Sequence, residues 1–293
     1  MSRHFRWPPA RRRLRPPDRA AACASPMQRV YEYLQIYGVM LRNSLIREMS
    51  FKLNFVLWLA VEALWFVGQL AFIEVIYGQV SALGDWTKWQ MVLLVGTHQI
   101  VSQIFQAFFY PNLVNLPELV RTGKLDFVLL QPADGQFLVS ARQFGLDSLV
   151  NAGAGVAVVV YSLARLHLVP GPGQVLLYVV TLCLGVSVHY AVMFGLATMS
   201  FWITRTQGLI YGYYNMISLA RYPDAVFKGA VKFIFSWVLP VIVVTNVPAR
   251  LLMNATSTPW PLALHLVVAS ALMVMLSRVL WTVALRRYSS ASS

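Results

Sequence analysis

The sequence predicts an all-α, polytopic membrane protein with six transmembrane helices, an N-terminal interfacial amphipathic helix and both termini in the cytoplasm. Three observations lead to this fold class. Of the 293 residues, 58% are hydrophobic and 12% are charged, whereas about 25% of the residues in a soluble domain are charged. The mean hydropathy is +0.59. The apolar residues form long runs, and segments that carry most of the basic residues separate them.

The N-terminal segment 1–26 is rich in Arg and Pro and contains too few apolar residues to form a core. We therefore expect it to be disordered. It has no apolar region of the kind that a secretory signal needs, and a translation start at Met27 would remove it from the protein. A second tail covers 288–293. Between the two tails we expect an interfacial helix over 27–53 and a transmembrane domain over 54–287.

The interfacial helix is predicted from a stripe of apolar residues at helical spacing, with arginines on the other face. A basic amphipathic helix of this kind suits the membrane interface, because its apolar face can enter the lipid while its charges stay in water. The alternative is an ordinary surface helix, but a membrane span follows at once. The apolar stripe comprises Val30, Tyr33, Leu34, Tyr37, Met40, Leu41 and Leu45.

Six apolar runs are long enough for a membrane crossing, which takes about 20 residues. The fourth run is long enough to tilt or protrude. The fifth contains Pro240, which removes a helical hydrogen bond and should kink the span. The six runs cover 54–77, 89–110, 147–166, 174–203, 231–249 and 262–284.

The orientation follows from the placement of the basic residues. With a cytoplasmic N-terminus, 21 of the 24 Lys and Arg residues lie in cytoplasmic segments, and only Lys88, Arg165 and Arg250 lie outside. Without the N-terminal tail the ratio is 14 to 3. Basic segments are retained in the cytoplasm. The formal net charge of +13 therefore reflects topology, and we expect no binding of nucleic acid.

The pair Gly123-Lys124 raises the question of a nucleotide site. A phosphate-binding loop has a first Gly five residues earlier and a Ser or Thr after the Lys. Here Glu118 stands at the first position and Leu125 at the last, so the motif fails twice. The two cysteines have no metal-site spacing. The sequence also lacks the short signatures of hydrolases and metalloproteases, which leaves little support for an enzyme or for an assembly scaffold.

Glu62 is the deepest carboxylate in the predicted spans. An ionisable group within a membrane is a functional hypothesis by default, and Glu62 could carry a proton or cation in an ion-coupled secondary transporter. The simpler interpretation is a polar group that faces the helix bundle and is hydrogen-bonded there. The small residues of spans 3 and 4 allow either close helix packing or a substrate path.

Two cytoplasmic loops, 111–146 and 204–230, remain to be explained. The first contains a short helix and then an apolar turn, which should dock on a partner or on the protein's own interfacial helix. Its residues resemble the R-x-G-x-L-D-x-x-L-L-x-P signature of ABC-2-type permeases, in the six-span bacterial branch. The residues that carry this resemblance are Arg121, Gly123, Leu125, Asp126, Leu129, Leu130, Pro132 and Phe137.

Weaker features of the same family follow in the matching order, and the resemblance covers about 27–287. They are the Gly84–Trp86 turn before span 2, Arg221, Tyr222 and Pro223 before span 5, Pro240 within that span and Pro248 after it.

The resemblance implies the permease subunit of an ATP-driven transporter in the bacterial cytoplasmic membrane, surrounded by lipid. The short exterior loops leave no room for a periplasmic receptor domain, which favours export. A separate ATPase subunit would hold ATP and Mg, so this chain would bind no cofactor itself. A second permease subunit, identical or different, would complete the transporter. The segment after span 5 would form a short re-entrant hairpin at the outer face.

The resemblance also assigns roles to the two cytoplasmic loops. The signature loop would couple to the ATPase, with its apolar side chains in a groove of that subunit. Gly123 would end the short helix, and Asp126 would cap or hydrogen-bond the following turn. Arg221, Tyr222 and Pro223 would form a second cytoplasmic contact.

Overall fold

The structure of the chain is a computed structural model that describes residues 26–50, 52–203, 205–254 and 259–288. Apart from Pro26 and Tyr288, the two predicted tails lie outside the described residues. In the described ranges the regular structure is helical, with one isolated bridge between Leu83 and Trp86.

Twelve α-helices form in the described ranges, and short 3-10 and π-helical turns join some of them. The helices are α1 (Pro26–Ser50), α2 (Lys52–Tyr77), α3 (Lys88–Phe108), α4 (Tyr110–Arg121), α5 (Leu125–Leu129), α6 (Gly135–Ser140), α7 (Leu146–Arg165), α8 (Pro172–Thr198), α9 (Gln207–Ile217), α10 (Gly229–Phe233), α11 (Val243–Leu252) and α12 (Pro259–Arg287).

Five helical segments in the described part of the chain are long and apolar enough to cross a membrane. They are α2, α3 with α4, α7, α8 with the following turn, and α12. These segments confirm predicted spans 1 to 4 and 6. Local sequence also sets some ends: the Thr87 N–H donates to Gln90 Oε1 at 2.8 Å and starts α3 with a capping box.

Close packing at glycines holds the centre of the bundle together. The central helix α3 is buried along most of its length and packs mainly on α7. A Cβ atom at Gly155 would lie 3.0 Å from the Gly96 carbonyl oxygen, so these two backbones are in near contact. A Cβ atom at Gly185 on α8 would lie 2.8 Å from Val244 Cγ1 on α11. Small residues therefore serve helix packing at these positions.

The bundle has two ends, which we name by their connecting segments. The loop end carries residues 121–142, and the turn end carries the Gly84–Trp86 turn. Part of the apolar stripe predicted for α1 packs against the loop end: Tyr33 and Tyr37 contact the Phe137 ring, whereas Leu34 is exposed. There, the Ser44 hydroxyl donates to the Arg142 carbonyl at 3.3 Å, and the Leu146 N–H donates to Glu48 at 2.9 Å.

The predicted fifth span over 231–249 requires correction. Helix α10 with its π-helical extension and helix α11 meet at a bend of 86°. Both arms contact one carboxylate: Asp224 lies 3.5 Å from Lys232 in α10, the first part of the first arm, and 2.7 Å from Arg250 near the end of α11. The pair thus enters and leaves at the turn end, and Val244 near the bend reaches Gly185 on α8. It is a re-entrant hairpin, and Pro240 lies at its bend.

Helix α9 and the 3-10 turn Ser218–Arg221 make the passage that 231–249 was predicted to make. This segment starts at the loop end, after the 3-10 turn Met199–Phe201 that follows α8, and it finishes beside the turn end. One face is buried at Ile210, Tyr213, Ile217 and Ala220, which is helical spacing. The chain therefore still runs between the two ends six times, and α1 and the last turn of α12 lie at the same end.

This rearrangement moves three basic residues, Arg221, Lys228 and Lys232, to the turn end. The ratio of basic residues between the two ends becomes 11 to 6 in the described part of the chain, instead of 14 to 3. The excess of basic residues stays at the loop end, so the predicted orientation, with the loop end in the cytoplasm, does not change.

Candidate functional site

The signature segment begins where α4 ends. Helix α4 stops at Arg121, and Gly123 has a φ of 69°, in the left-handed region that favours glycine. The Gly123 carbonyl then accepts from the Asp126 N–H at 3.2 Å, which leads into α5. Gly123 thus ends the helix, which is the role that the resemblance implied for it.

The apolar side chains of α5 divide into two groups. Leu125 and Val128 are buried in the protein's own core, and Leu129 is partly buried beside Gly135. Phe127 is 72% exposed and Leu130 is 81% exposed. The expectation that Leu125 enters a partner's groove is therefore wrong, because its side chain is already enclosed. Phe127 and Leu130 are the apolar side chains of this segment that remain free for a partner.

The polar and proline positions of the signature also differ in role. Arg121 forms two hydrogen bonds to Glu118 one turn earlier, at 2.9 and 2.7 Å, and both side chains face solvent. Pro132 is exposed beyond α5. The N-cap position of α5 is Lys124, and Asp126 lies inside the first turn of the helix. Instead Asp126 neighbours the Tyr288 hydroxyl after α12; burial first, and then this carboxylate, raise the pKa of Tyr288.

The capping carboxylate of this region is Asp134, at the start of α6. Its Oδ1 accepts from the Phe137 N–H at 3.1 Å. Arg278 on α12 donates to both carboxylate oxygens of Asp134, at 3.0 and 2.6 Å. Burial disfavours the charged form of Asp134, but the hydrogen bonds from Arg278 and Phe137 outweigh it, so the pKa of Asp134 lies below its usual value.

These contacts extend into a network that joins four parts of the fold. Arg278 also donates to Gln136 Oε1 at 3.0 Å, and Gln136 Nε2 donates to the Tyr190 hydroxyl on α8 at 3.0 Å. The Asp134 N–H donates to the Tyr33 hydroxyl on α1 at 2.9 Å. We call Tyr33, Asp134, Gln136, Tyr190 and Arg278 the Asp134 network. It ties the signature loop to α1, α8 and α12.

The second predicted cytoplasmic contact does not lie at the same end of the bundle as the signature loop. Asn246 on α11 binds the Arg221–Pro223 segment from both sides: its Nδ2 donates to the Tyr222 carbonyl at 3.1 Å and its Oδ1 accepts from the Asp224 N–H at 2.9 Å. Arg250 then links Asp224 to Asp85 in the Gly84–Trp86 turn. Arg221, Tyr222 and Pro223 therefore lie at the turn end, opposite the signature loop.

Glu62 has a protein partner inside the bundle. Gln103 Nε2 on α3 donates to Glu62 Oε2 at 3.0 Å, and the Glu62 side chain is partly buried. This is the arrangement that the simpler interpretation predicted, a polar group hydrogen-bonded to a neighbouring helix. It gives no support to the secondary-transporter alternative.

The model of one protein family, described as ABC-2 family transporter protein, matches residues 63–292 of the chain. This region includes every span except the start of the first. The chain belongs to the ABC-2 transporter family. No curated protein and no solved structure gives a significant match. The chain is thus an ABC-2-type permease, an integral membrane protein with a transport role.

The permease carries loop-end residues that sequence reasoning missed. Trp202 and Ile203 are exposed just after α8, while Phe201 packs edge-on against Trp281 and Tyr288. This places two more apolar side chains at the end that carries α5. An aromatic pair at the end of a predicted span was the available signal.

The Asp134 network of the permease was also missed, although part of it had a sequence signal. Asp134 precedes a Gly and lies three residues before Phe137, which is a helix-start pattern with Asp as the N-cap. The partner Arg278 is 144 residues away in the chain, so no local pattern could assign it.

Proposed function

We propose that the permease is the transmembrane subunit of an ATP-driven exporter of the bacterial cytoplasmic membrane. A separate ATPase subunit, which holds ATP and Mg, binds its loop end. The observation that carries this proposal is a pair of exposed apolar side chains, Phe127 on α5 and Leu130 directly after it, while the opposite face of this short helix is buried in the core. Trp202 and Ile203 enlarge the apolar surface at the same end.

The support beneath this surface suits it to transmit motion. Leu125 and Val128 fix α5 to the bundle core, so a force on Phe127 or Leu130 moves the helix as a unit. The next helix, α6, is held by Asp134 and Arg278 to the last span. Closure of the ATPase would therefore displace α5 and α6 together and pass the movement to α12, α8 and α1.

The excess of basic residues at the loop end supports a cytoplasmic position for this surface and for both termini. We assign the turn end, with its short connections and the re-entrant α10–α11 hairpin, to the outside. A second permease subunit, identical or different, completes the transporter in the membrane. Export is the direction that we propose for the unidentified substrate.

The test is co-purification of an ATPase with a double variant, Phe127→Ser with Leu130→Ser. Burial of one large apolar side chain is worth about 1.5–3 kcal/mol, so loss of two should weaken the complex well beyond tenfold. The tagged permease is purified from cells that express the neighbouring genes. Co-purified subunits are identified by mass spectrometry, and ATP hydrolysis is measured on the complex.

Val169→Ser is the matched control, because Val169 is 94% exposed at the turn end. It removes an exposed apolar side chain without touching the loop end, and the ATPase should be recovered as with the unaltered chain. Full recovery of the ATPase with the double variant would show that α5 does not bind it. Recovery of no ATPase with the unaltered chain would contradict the ATP-driven function itself.

A further inference from the structure

A lateral groove of about 510 Å³ runs along the side of the bundle at the turn-end half. It lies between α2, the first turns of α3 and the end of the Ser218–Arg221 turn. Its apolar walls are formed mainly by Val61, Leu64, Trp65, Phe72, Met91 and Val95, and the polar side chains Gln69 and Arg221 also line it.

Arg221 has no counter-ion in this groove. Its Nε is buried and makes no hydrogen bond, and no carboxylate lies within ion-pair distance of its guanidinium in the described ranges. The guanidinium lies 5.5 Å from the centre of the Tyr222 ring, a cation–π contact, and the buried His98 is a further neighbour. The Oε1 of Gln69 is also buried without a partner. An unpaired cation among apolar side chains is unfavourable and attracts an anion.

The carboxylates around the turn end are bound elsewhere. Asp85 and Asp224 both pair with Arg250, at 2.9 and 2.7 Å, so that arginine is neutralised twice. Glu74 on α2 pairs with a lysine at the start of α3 at 2.6 Å. Within the described ranges, two carboxylates pair with Arg250 and none pairs with Arg221, which leaves the groove with a net positive site.

The groove is open toward the lipid side of α2. Leu64, Trp65 and Phe72 on its wall are exposed, and α2 is among the least buried of the spans. From Val61 to Ile73 the helix rises by about 18 Å at 1.5 Å per residue. An occupant that satisfies both parts of the groove needs an anionic group at Arg221 and an apolar chain along α2.

We propose that this groove binds an anionic phospholipid from the surrounding membrane. Its phosphate accepts hydrogen bonds from the Arg221 guanidinium, whose planar fork matches phosphate oxygens. A headgroup hydroxyl donates to Gln69, and one acyl chain follows α2. This proposal rests on the groove and does not depend on the ATPase contact at the other end.

The test measures binding of short-chain phosphatidylglycerol to the purified full-length chain in detergent by titration calorimetry, with phosphatidylcholine of the same chain length for comparison. The unaltered chain should prefer phosphatidylglycerol. Arg221→Gln should weaken that binding about tenfold or more, as loss of a charge-assisted contact predicts, and Arg221→Lys should restore most of it. Arg165→Gln is the control, since Arg165 is an exposed arginine at the same end.

A second pair of variants tests the apolar half of the groove. Gly68 lines the groove with open space around it, so Gly68→Leu fills the groove and should abolish binding while Arg221 stays in place. Gly153→Leu adds the same side chain at another open helical position, on α7, and should bind as the unaltered chain does. Thermal unfolding of each variant identifies any that fail to fold.

Three results would overturn the proposal. The first is equal binding of the two lipids, or unchanged binding by Arg221→Gln. The second is complete displacement of phosphatidylglycerol by an equal concentration of inorganic phosphate, which would assign a free-anion site. The third is a chain that binds no lipid but whose Trp65→Cys variant cross-links to a second copy, which would make the groove an interface between subunits.

Discussion

Removal of the Asp134 carboxylate should separate two contributions that meet at this residue, a helix cap and an ion pair. Asp134→Ala removes both the bond from the Phe137 N–H and the contacts with Arg278. Asp134→Asn keeps an N-cap side chain and removes the charge, because Asn caps helices about as well as Asp. The two variants therefore divide the stabilisation into its parts.

The magnitudes follow from the geometry. Loss of an N-cap to Ala costs about 1 kcal/mol. The ion pair is short, at 2.6 Å, but the Arg278 and Asp134 side chains are 50% and 34% exposed, so solvent screens it and we assign it about 1 kcal/mol. Asp134→Ala should then destabilise by about 2 kcal/mol and Asp134→Asn by about 1 kcal/mol. At about 2–4 °C per kcal/mol, Tm should fall by about 4–8 °C and 2–4 °C respectively.

The assay is thermal unfolding of the purified chain in detergent, with Arg278→Gln and the double variant completing a cycle. The interaction between Asp134 and Arg278 should appear as a coupling of about 1 kcal/mol. Equal Tm values for Asp134→Ala and Asp134→Asn would refute the capping role. Additive effects of the Asp134 and Arg278 variants would refute the ion pair.

The pH dependence gives an independent check. The pKa of Asp134 is lowered in the folded chain, so its contribution is complete above the unfolded value of about 3.9. The contribution is lost as the pH falls through the lower folded pKa. The Tm difference between the unaltered chain and Asp134→Asn should stay constant from about pH 8 to pH 5 and shrink below about pH 4.

Three further predictions concern glycines and topology. Gly123→Ala should destabilise the chain by about 1–2 kcal/mol, because φ is 69° there. Gly153→Ala, at an open helical position, should stabilise it by about 0.5–1 kcal/mol. Thermal unfolding compares the two variants, and equal effects would contradict the left-handed conformation of Gly123. Gly185→Ala should lower stability by about 1–3 kcal/mol, since its Cβ would lie 2.8 Å from a valine of α11, and Gly195→Ala, with 3.5 Å of room, should not. In intact cells, the cysteine of Lys228→Cys should react with a membrane-impermeant maleimide. If it does not react, this segment lies in the cytoplasm, as the sequence alone predicted.

Long-range contacts decided which features of the candidate site lie together. The glycine at 123 and the apolar character of α5 were readable from the sequence, because both are local properties. The sequence did not distinguish Leu125 from Phe127, since the choice of buried face depends on where the rest of the bundle lies. The pairing of Asp134 with Arg278 joins two residues far apart in the chain, and only the packing of α6 against α12 brings them together.

The sequence by itself determined that the protein is helical and embedded in a membrane, and it located the five long spans. It could do so because these features depend on hydrophobicity and periodicity along a single helix. The sequence assigned the fifth passage wrongly, because apolar composition indicates that a segment is buried but not whether it crosses the bundle or turns back. The run 231–249 is more apolar than the tyrosine-rich α9 and looked like the span. Only the tertiary structure, through the contacts of Asp224 with both arms of the hairpin, showed that this run returns to the end from which it starts.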